Sequence, residues 1–151
     1  MFSGAYPHKI NQKNQVTVPL KLRNTVNTDI HGEGFYLYCK NEGCGRIDMY
    51  TPLGWKKVVN AFREAIKDDP EYQMLMRTIN YKTHHVDFDN SGRIILPSTL
   101  IKEAGLEHDV IFIGNTEKIE IWNKGIWEKS YTGSAEKFDM VREKLPKTID
   151  L

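Results

Sequence analysis

The nine residues from Asp89 to Pro97 place a carboxylate and a guanidinium at a spacing that suits recognition of phosphates or base edges. Asp89 opens a predicted turn, in which its carboxylate can accept backbone N–H groups or pair with Arg93. Gly92 permits a positive φ at the tightest point of that turn. Arg93 then projects from the junction of turn and strand, with a fixed fork of donors that matches a phosphate or the O6/N7 edge of guanine. Arg93 is therefore a candidate for contact with DNA, and Asp89 is the candidate to orient it.

A plainer interpretation of the same pair is a solvated ion pair in a surface turn. Such a pair contributes about 0–1 kcal/mol to stability and needs no ligand. The choice between the two interpretations depends on whether the motif recurs elsewhere in the chain.

A second, altered copy of the motif lies 78 positions earlier, where residues 11–19 read Asn-Gln-Lys-Asn-Gln-Val-Thr-Val-Pro. Asn11 can still cap the turn but cannot form an ion pair. Asn14 stands where the other copy has glycine, and asparagine tolerates left-handed geometry better than most residues. Gln15 stands where the other copy has arginine, so a charge and a guanidinium fork are lost, although glutamine can still contact adenine. The sequence predicts a weaker DNA contact from Asn11, Asn14 and Gln15.

Charge is unevenly distributed along the 151 residues, although 21 Lys and Arg against 20 Asp and Glu leave a net charge of only +1. Residues 1–28 contain four basic side chains and no acid, and residues 73–86 also lack acids. The near-neutral total excludes a globally basic nucleic-acid binder, whereas basic stretches beside the motifs suit phosphate contacts on one face. We expect Lys9, Lys13 and Lys21 to supply this attraction.

The residues after the two motifs predict the same series of elements twice. Each motif ends in a short alternating strand that stops at a proline, and a short helix, a hairpin and a longer helix follow. The predicted hairpin strands are 35–38 with 46–50 and 110–113 with 118–122. Further helices are expected from Thr51-Pro52, over 72–79, and along an apolar face at 138–145. The pattern predicts an α+β, β-rich chain of two units, 1–70 and 71–151, joined without a long linker in one body.

The sequence offers little support for an enzyme or a metal site. Cys39 and Cys44 are loosely spaced and lack a second ligand pair, so we expect structural cysteines. His84 and His85 suit a polar entrance to a strand or a minor phosphate contact. Phosphate-binding glycine loops and zinc-protease motifs are absent. We expect no catalytic site, no cofactor and no small-molecule substrate.

The chain lacks a stretch apolar enough to span a bilayer, and its first residues lack the apolar core of a signal peptide. The sequence therefore predicts a cytoplasmic protein without a membrane partner.

These features resemble the MraZ family, bacterial regulators associated with the division and cell-wall gene cluster. Its members begin Met-Phe-x-Gly and carry two Asp-x-x-Gly-Arg-apolar-x-apolar-Pro motifs. This chain begins Met-Phe-Ser-Gly, has the complete second motif, and reads Val-Ile-Phe-Ile-Gly at 110–114 and Ile-Glu-Ile-Trp at 119–122. The resemblance covers about residues 1–145.

The resemblance implies two tandem AbrB-like swapped-hairpin units, packed as one pseudo-symmetric body with flanking helices. It also implies a ring-shaped homo-oligomer that binds short direct repeats in double-stranded promoter DNA, regulates transcription as a repressor, and associates with the nucleoid. Two alternatives stay open. One is an AbrB-type antitoxin or transition-state regulator, which usually carries a single unit. The other is a ring scaffold that does not bind DNA.

Overall fold

Two β-sheets and six helices form the fold in the computed structural model, which describes all 151 residues. The first half contains β1 (Ala5–Lys9), β2 (Gln15–Thr17), α1 (Leu20–Asn24), α2 (Thr28–His31), β3 (Phe35–Tyr38), β4 (Arg46–Tyr50) and α3 (Pro52–Ile66). The second half contains α4 (Tyr72–Tyr81), β5 (Thr83–Val86), β6 (Arg93–Ile95), α5 (Ser98–Ala104), β7 (Asp109–Asn115), β8 (Lys118–Asn123) and α6 (Lys124–Arg142). The predicted α+β, β-rich fold is confirmed.

The two halves exchange strands. A six-stranded antiparallel sheet has the order β1-β7-β8-β4-β3-β5, and β2 pairs with β6 in a separate two-stranded ribbon. Thus β1 of the first half pairs with β7 of the second, and β5 of the second half pairs with β3 of the first. Exchanging β1 with β5, β3 with β7 and β4 with β8 gives the same strand order, read from the opposite edge of the sheet. The body is therefore pseudo-symmetric.

The strand registers follow the sequence repeat. In the ribbon, Val16 lies opposite Ile94, which is its counterpart 78 positions later. In the large sheet, Asp48 lies opposite Glu120 at the centre of the β4–β8 pair. A pseudo-twofold axis therefore passes through both places, and the ribbon lies over the middle of the large sheet.

One hydrophobic core joins the two halves. It contains 19 buried residues, including Val16 and Ile94 from the ribbon and Leu37 and Phe112 from the sheet. Because these side chains come from both sides of position 70, the halves share their buried surface. We propose that residues 1–70 and 71–151 are two copies of one repeat and that both contribute to this single core.

Several local predictions agree with the structure. The hairpin strands 35–38 and 46–50 have the predicted bounds. Thr51 caps α3, accepting a hydrogen bond from the Gly54 N–H at 3.1 Å. Gly105 ends α5 in the left-handed conformation, with φ of 73°. Helix α3 ends at Ile66 and α4 begins at Tyr72, and Pro70, which cannot continue a helix, lies between them.

Three elements do not follow from the sequence pattern: β1, β5 and α2. Strands β1 and β5 form the two edges of the large sheet. Pro7 lies within β1, where an edge tolerates a residue that cannot donate a backbone hydrogen bond. His84 and His85 lie inside β5 rather than only at its entrance, and His85 Nε2 lies 3.0 Å from the Glu33 carbonyl oxygen.

Four charged side chains surround the pseudo-twofold axis of the large sheet, on the face opposite the core. Asp48 Oδ1 lies 2.9 Å from Arg46 Nε, and Asp48 Oδ2 lies 3.1 Å from Lys118 Nζ. Glu120 Oε2 lies 3.5 Å from Arg46 Nε and 3.2 Å from Lys118 Nζ. The two carboxylate side chains are only 5% and 8% exposed, so each depends on both cations for its compensation. We call these four residues the axial charge cluster.

We predict that Asp48→Asn destabilises the fold by about 3 kcal/mol, because it leaves two cations beside a single buried carboxylate. Urea unfolding followed by circular dichroism measures this change. The matched control is Glu64→Gln, which breaks the exposed pair of Glu64 with Lys67 and is expected to cost about 0–1 kcal/mol. Equal effects of the two substitutions would contradict a structural role for the axial charge cluster.

The cluster also predicts how stability depends on pH. Burial opposes ionisation of Glu120, but a hydrogen bond from Trp122 and the charge of Lys118 outweigh it and lower the pKa of Glu120 below 4.5. The unfolded chain therefore binds the proton more readily, and the stabilisation present at neutral pH is lost as the pH falls through the folded-state value. We expect the stability difference between wild type and Glu120→Gln to shrink as the pH falls from neutral through the folded-state pKa of Glu120. A constant difference would contradict this assignment.

Candidate nucleic-acid interface

The complete motif forms a tight turn around the Asp89 carboxylate. Oδ1 accepts hydrogen bonds from the backbone N–H groups of Ser91, at 2.8 Å, and of Arg93, at 3.0 Å. Oδ2 accepts a hydrogen bond from Arg93 Nε at 2.8 Å. The backbone hydrogen bond from Arg93 is the largest cause that lowers the pKa of Asp89, and the Arg93 side chain and the Ser91 N–H add to it, so together they outweigh the opposing effect of desolvation. Asp89 thus orients the guanidinium while its tip stays open to solvent.

The altered motif folds into the same turn with neutral groups. Asn11 Oδ1 accepts hydrogen bonds from the Lys13 and Gln15 N–H groups, each at 2.9 Å. Asn11 Nδ2 donates to Gln15 Oε1 at 2.9 Å, where the complete motif has its ion pair. Asn11 and Gln15 therefore match each other, because an amide donor faces an amide acceptor. The Gln15 side chain is held by Asn11 in the same way that the Arg93 side chain is held by Asp89.

The position before each strand requires left-handed backbone geometry. Gly92 has a φ of 74°, and Asn14, its counterpart, has a φ of 60°. The two turns therefore share one backbone shape, although one contains glycine and the other asparagine.

Pairing of β2 with β6 brings the two motifs onto one surface. Val16 and Ile94 point inward and are about 1% exposed, so their neighbours point outward. Gln15 lies opposite Ile95, and Arg93 lies opposite Thr17. Gln15 and Arg93 are consequently diagonal neighbours, with Cα atoms about 7–8 Å apart.

The outer face of the ribbon includes a shared hollow of about 420 Å³. It is lined by Asn11, Gln12, Lys13, Gln15 and Arg93. The hollow draws its walls from both motifs, so the ribbon brings together the predicted residues Asn11, Lys13, Gln15 and Arg93.

The other predicted residues take different positions. Asp89, Gly92 and Asn14 form the turns rather than lining the hollow. Lys9 lies at the end of β1 and forms an exposed ion pair with Asp109 at 3.7 Å, so part of its charge is compensated. Lys21 is exposed on α1, also outside the hollow.

The structure adds three residues that sequence reasoning did not select. Thr17 and Ile95 share the outer face of the ribbon, and Ile95 is 60% exposed. Strict alternation with the buried Val16 and Ile94 is the signal that identifies them. Ile95 offers an apolar group of the kind that contacts thymine methyl groups.

Arg23 is the third addition. Its Nε donates to the Val18 carbonyl oxygen at 2.9 Å, and its guanidinium lies directly against Gly92. The counterpart 78 positions later is Ile101, so only the complete motif has a second guanidinium beneath its turn. The complete motif therefore has two guanidinium groups at its turn, and the altered motif has none.

No group of three or more His, Cys, Asp or Glu side chains is arranged to hold a metal ion. None of the helices has the length and hydropathy needed to cross a membrane.

The family profile and the individual relatives that this chain matches carry the same family name. Residues 79–146 match the sequence profile of a family described as "MraZ protein, putative antitoxin-like". The chain is 31% identical over 128 residues to the transcriptional regulator MraZ of Ureaplasma parvum serovar 3, covering 85% of each chain. It is 33% identical over 144 residues to that of Lachnoclostridium phytofermentans, covering 95% of this chain and 96% of the relative. A Clostridium botulinum relative of the same name is 31% identical over 145 residues, covering 96% of both.

The turn geometry predicts different effects of substitution at two equivalent positions. Gly92→Ala should destabilise the fold by about 2 kcal/mol, because a β-carbon there is strained at positive φ and overlaps the Arg23 guanidinium. Asn14→Gly, the matched control, should change stability by about 0.5 kcal/mol or less, since glycine accepts the same φ. Thermal or urea unfolding of both variants measures the difference, and a Gly92→Ala variant as stable as wild type would contradict the proposed packing.

Proposed function

The chain belongs to the MraZ family of transcriptional regulators, and from this premise we propose that its β2–β6 ribbon binds promoter DNA. The main support for this proposal is that the ribbon presents two motifs from one chain on a single outer face. A two-stranded antiparallel ribbon has the width that the major groove of B-DNA admits. The hollow between Gln15 and Arg93 is lined by polar and basic side chains alone, as contact with phosphates and base edges requires.

Each predicted residue has a role in this proposal. Arg93 reads a guanine edge or a phosphate, and Asp89 positions it. Gln15, held by Asn11, reads adenine at the neighbouring position. Gly92 and Asn14 give the two turns their shape, and a set of lysines attracts the phosphate backbone: Lys9, Lys13 and Lys21.

An assembly of several copies would strengthen this contact. A single protomer offers one charged and one neutral motif, so avidity across successive direct repeats would raise an otherwise weak affinity. Helix α6 supports assembly, because Tyr131, Phe138 and Val141 lie on one face and are about half exposed. A groove of about 530 Å³ between α3, α4 and the large sheet is lined by seven apolar or aromatic side chains and six polar or charged ones, three of which belong to the axial charge cluster. Burying the α6 stripe in the groove of the next copy would be a head-to-tail contact, which closes into a ring when the rotation permits.

The finer parts of the proposal follow from the family. We infer that the protein acts as a repressor at short promoter repeats, in the cytoplasm and associated with the nucleoid. Such a role requires neither a cofactor nor a small-molecule substrate.

The direct test is fluorescence anisotropy on a labelled duplex that carries the direct repeats upstream of the protein's own gene. A scrambled duplex of the same composition is the control, and both are measured at low and near-physiological salt. We expect tight binding to the repeats alone, weakening steeply with salt because phosphate contacts release counterions. Equal binding to both duplexes would reject sequence-specific recognition, and no binding to either would favour a ring scaffold.

Two variants test the roles within the complete motif. Arg93→Gln gives the complete motif the glutamine of the altered copy and should weaken specific binding about fivefold or more, an effect of about 1–3 kcal/mol. Asp89→Asn keeps the backbone-accepting oxygen but turns an N–H group toward Arg93, so it should weaken binding while leaving unfolding nearly unchanged. Wild-type affinity in both variants would contradict the assignment of Arg93.

A matched gain of function should be possible in the altered motif. The double substitution Asn11→Asp with Gln15→Arg restores the ion pair and should strengthen binding and steepen its salt dependence. Gln15→Arg alone should gain less, because Asn11 Nδ2 would face another donor. Equal effects of the single and double variants would show that the orienting contact is unimportant.

A further inference from the structure

Two cysteine sulfurs meet beside the turn that joins β3 to β4. Cys39 directly follows β3, and Cys44 lies in the turn before β4. Their Sγ atoms are 3.5 Å apart, and both thiols are free. The apolar surroundings of a core explain an isolated buried cysteine, but they do not explain why two thiols should face each other at this distance.

The two thiols differ in accessibility. Cys39 is 1% exposed and belongs to the hydrophobic core. Cys44 is only partly buried, and the four turn residues between the two cysteines are exposed. A small reagent from solvent therefore reaches Cys44 first.

The two thiols also differ in acidity. Burial, together with the hydrogen bond and charge of Cys44, raises the pKa of Cys39 to about 12. Burial acts in the same direction on Cys44, but backbone hydrogen bonds at Arg46 and Asn41, the contact with Cys39 and the charge of Arg46 outweigh it and lower its pKa. Cys44 has the character of an attacking thiol, and Cys39 that of a resolving partner.

We propose that Cys39 and Cys44 form an oxidation site, at which a peroxide converts the two thiols into a disulfide within one chain. The proposal does not depend on DNA binding, because it rests on the β3–β4 turn alone.

The reaction balances with one peroxide per pair. The Cys44 thiolate attacks one peroxide oxygen, the O–O bond breaks, and Cys44 becomes a sulfenic acid as the other oxygen leaves as water after gaining a proton. The Cys39 sulfur then attacks the Cys44 sulfur and displaces the hydroxyl group as a second water, with the Cys39 proton. Two thiols are oxidised by two electrons in total, and one hydrogen peroxide is reduced to two waters.

The turn holds the two sulfurs close to the distance that a disulfide needs. A disulfide needs the sulfurs at about 2 Å, so they must approach by about 1.5 Å. Gly43 and Gly45 give the turn left-handed conformations that other residues rarely adopt, and a β-carbon on Gly43 would meet nothing within 4 Å. Two backbone hydrogen bonds to the end of α5, from Gly43 N–H to Glu103 and from Gly45 N–H to Ala104, each of 2.7 Å, keep the turn in place.

The test treats the reduced full-length protein with a slight excess of hydrogen peroxide. We expect both thiols to disappear together in a thiol assay, with the intact chain lighter by two hydrogens, monomeric on a non-reducing denaturing gel, and fully restored by dithiothreitol. Cys39→Ser should instead accumulate a sulfenic acid at Cys44 that dimedone traps, whereas Cys44→Ser should react far more slowly.

Three results would overturn the proposal. They are disulfides that join two chains, oxidation of Cys44→Ser as fast as wild type, and retention of both thiols under peroxide that oxidises free dithiothreitol. Circular dichroism of each variant before treatment establishes that the reactivities compare folded proteins.

Discussion

The antiparallel pairing of β2 with β6 is the contact on which the candidate interface depends. Each strand is only three residues long and could not persist alone. The pair is extended by hydrogen bonds from the Val18 N–H to Gly92 and from the Leu96 N–H to Asn14, at 3.0 and 2.8 Å. Because these bonds end on the two left-handed residues, the ribbon and both turns form one unit. The two motifs acquire a shared surface only through this pairing.

The exchange of strands in the large sheet fixes that ribbon in place. Strands β1 and β5 lead directly into the two turns, and each is paired with the opposite half of the chain. The core and the axial charge cluster also draw on both halves. Neither half can therefore move without the other, and Gln15 and Arg93 keep a constant separation. The polar pairs that differ between the motifs, Asn11 with Gln15 and Asp89 with Arg93, lie at the surface, so this difference leaves the strand pairing unchanged.

Much of this arrangement could be predicted from local sequence. Alternation gave the hairpin strands, and the repeat of the polar turn, strand and proline gave the duplication. Glycine or asparagine before each strand indicated a left-handed turn. The edge strands could not be found this way, because His8, His84 and Pro7 are poor local signals and these strands depend on partners at least 45 residues away.

The remaining features depend on three-dimensional proximity. Considered separately, Asn11 and Gln15 each look like the loss of a charged residue from the motif. The hydrogen bond between them shows that the two residues together replace the ion pair with a neutral contact. Arg23 contacts Gly92 from α1, so the spacing of residues within the motif does not predict this contact. Asp48 and Glu120 look like solvated positions of alternating strands, and only the β4–β8 register places them opposite each other with two shared cations.

The most direct measurement of the central claim is hydrogen–deuterium exchange of the full-length protein, with and without the repeat-bearing duplex. Peptides covering 9–19 and 87–97 report on the ribbon, and peptides covering 52–81 report on α3 and α4. If the ribbon binds DNA, the duplex should slow exchange in both ribbon peptides at concentrations where the scrambled duplex does not. Protection confined to α3 and α4, with the ribbon unchanged, would contradict the account.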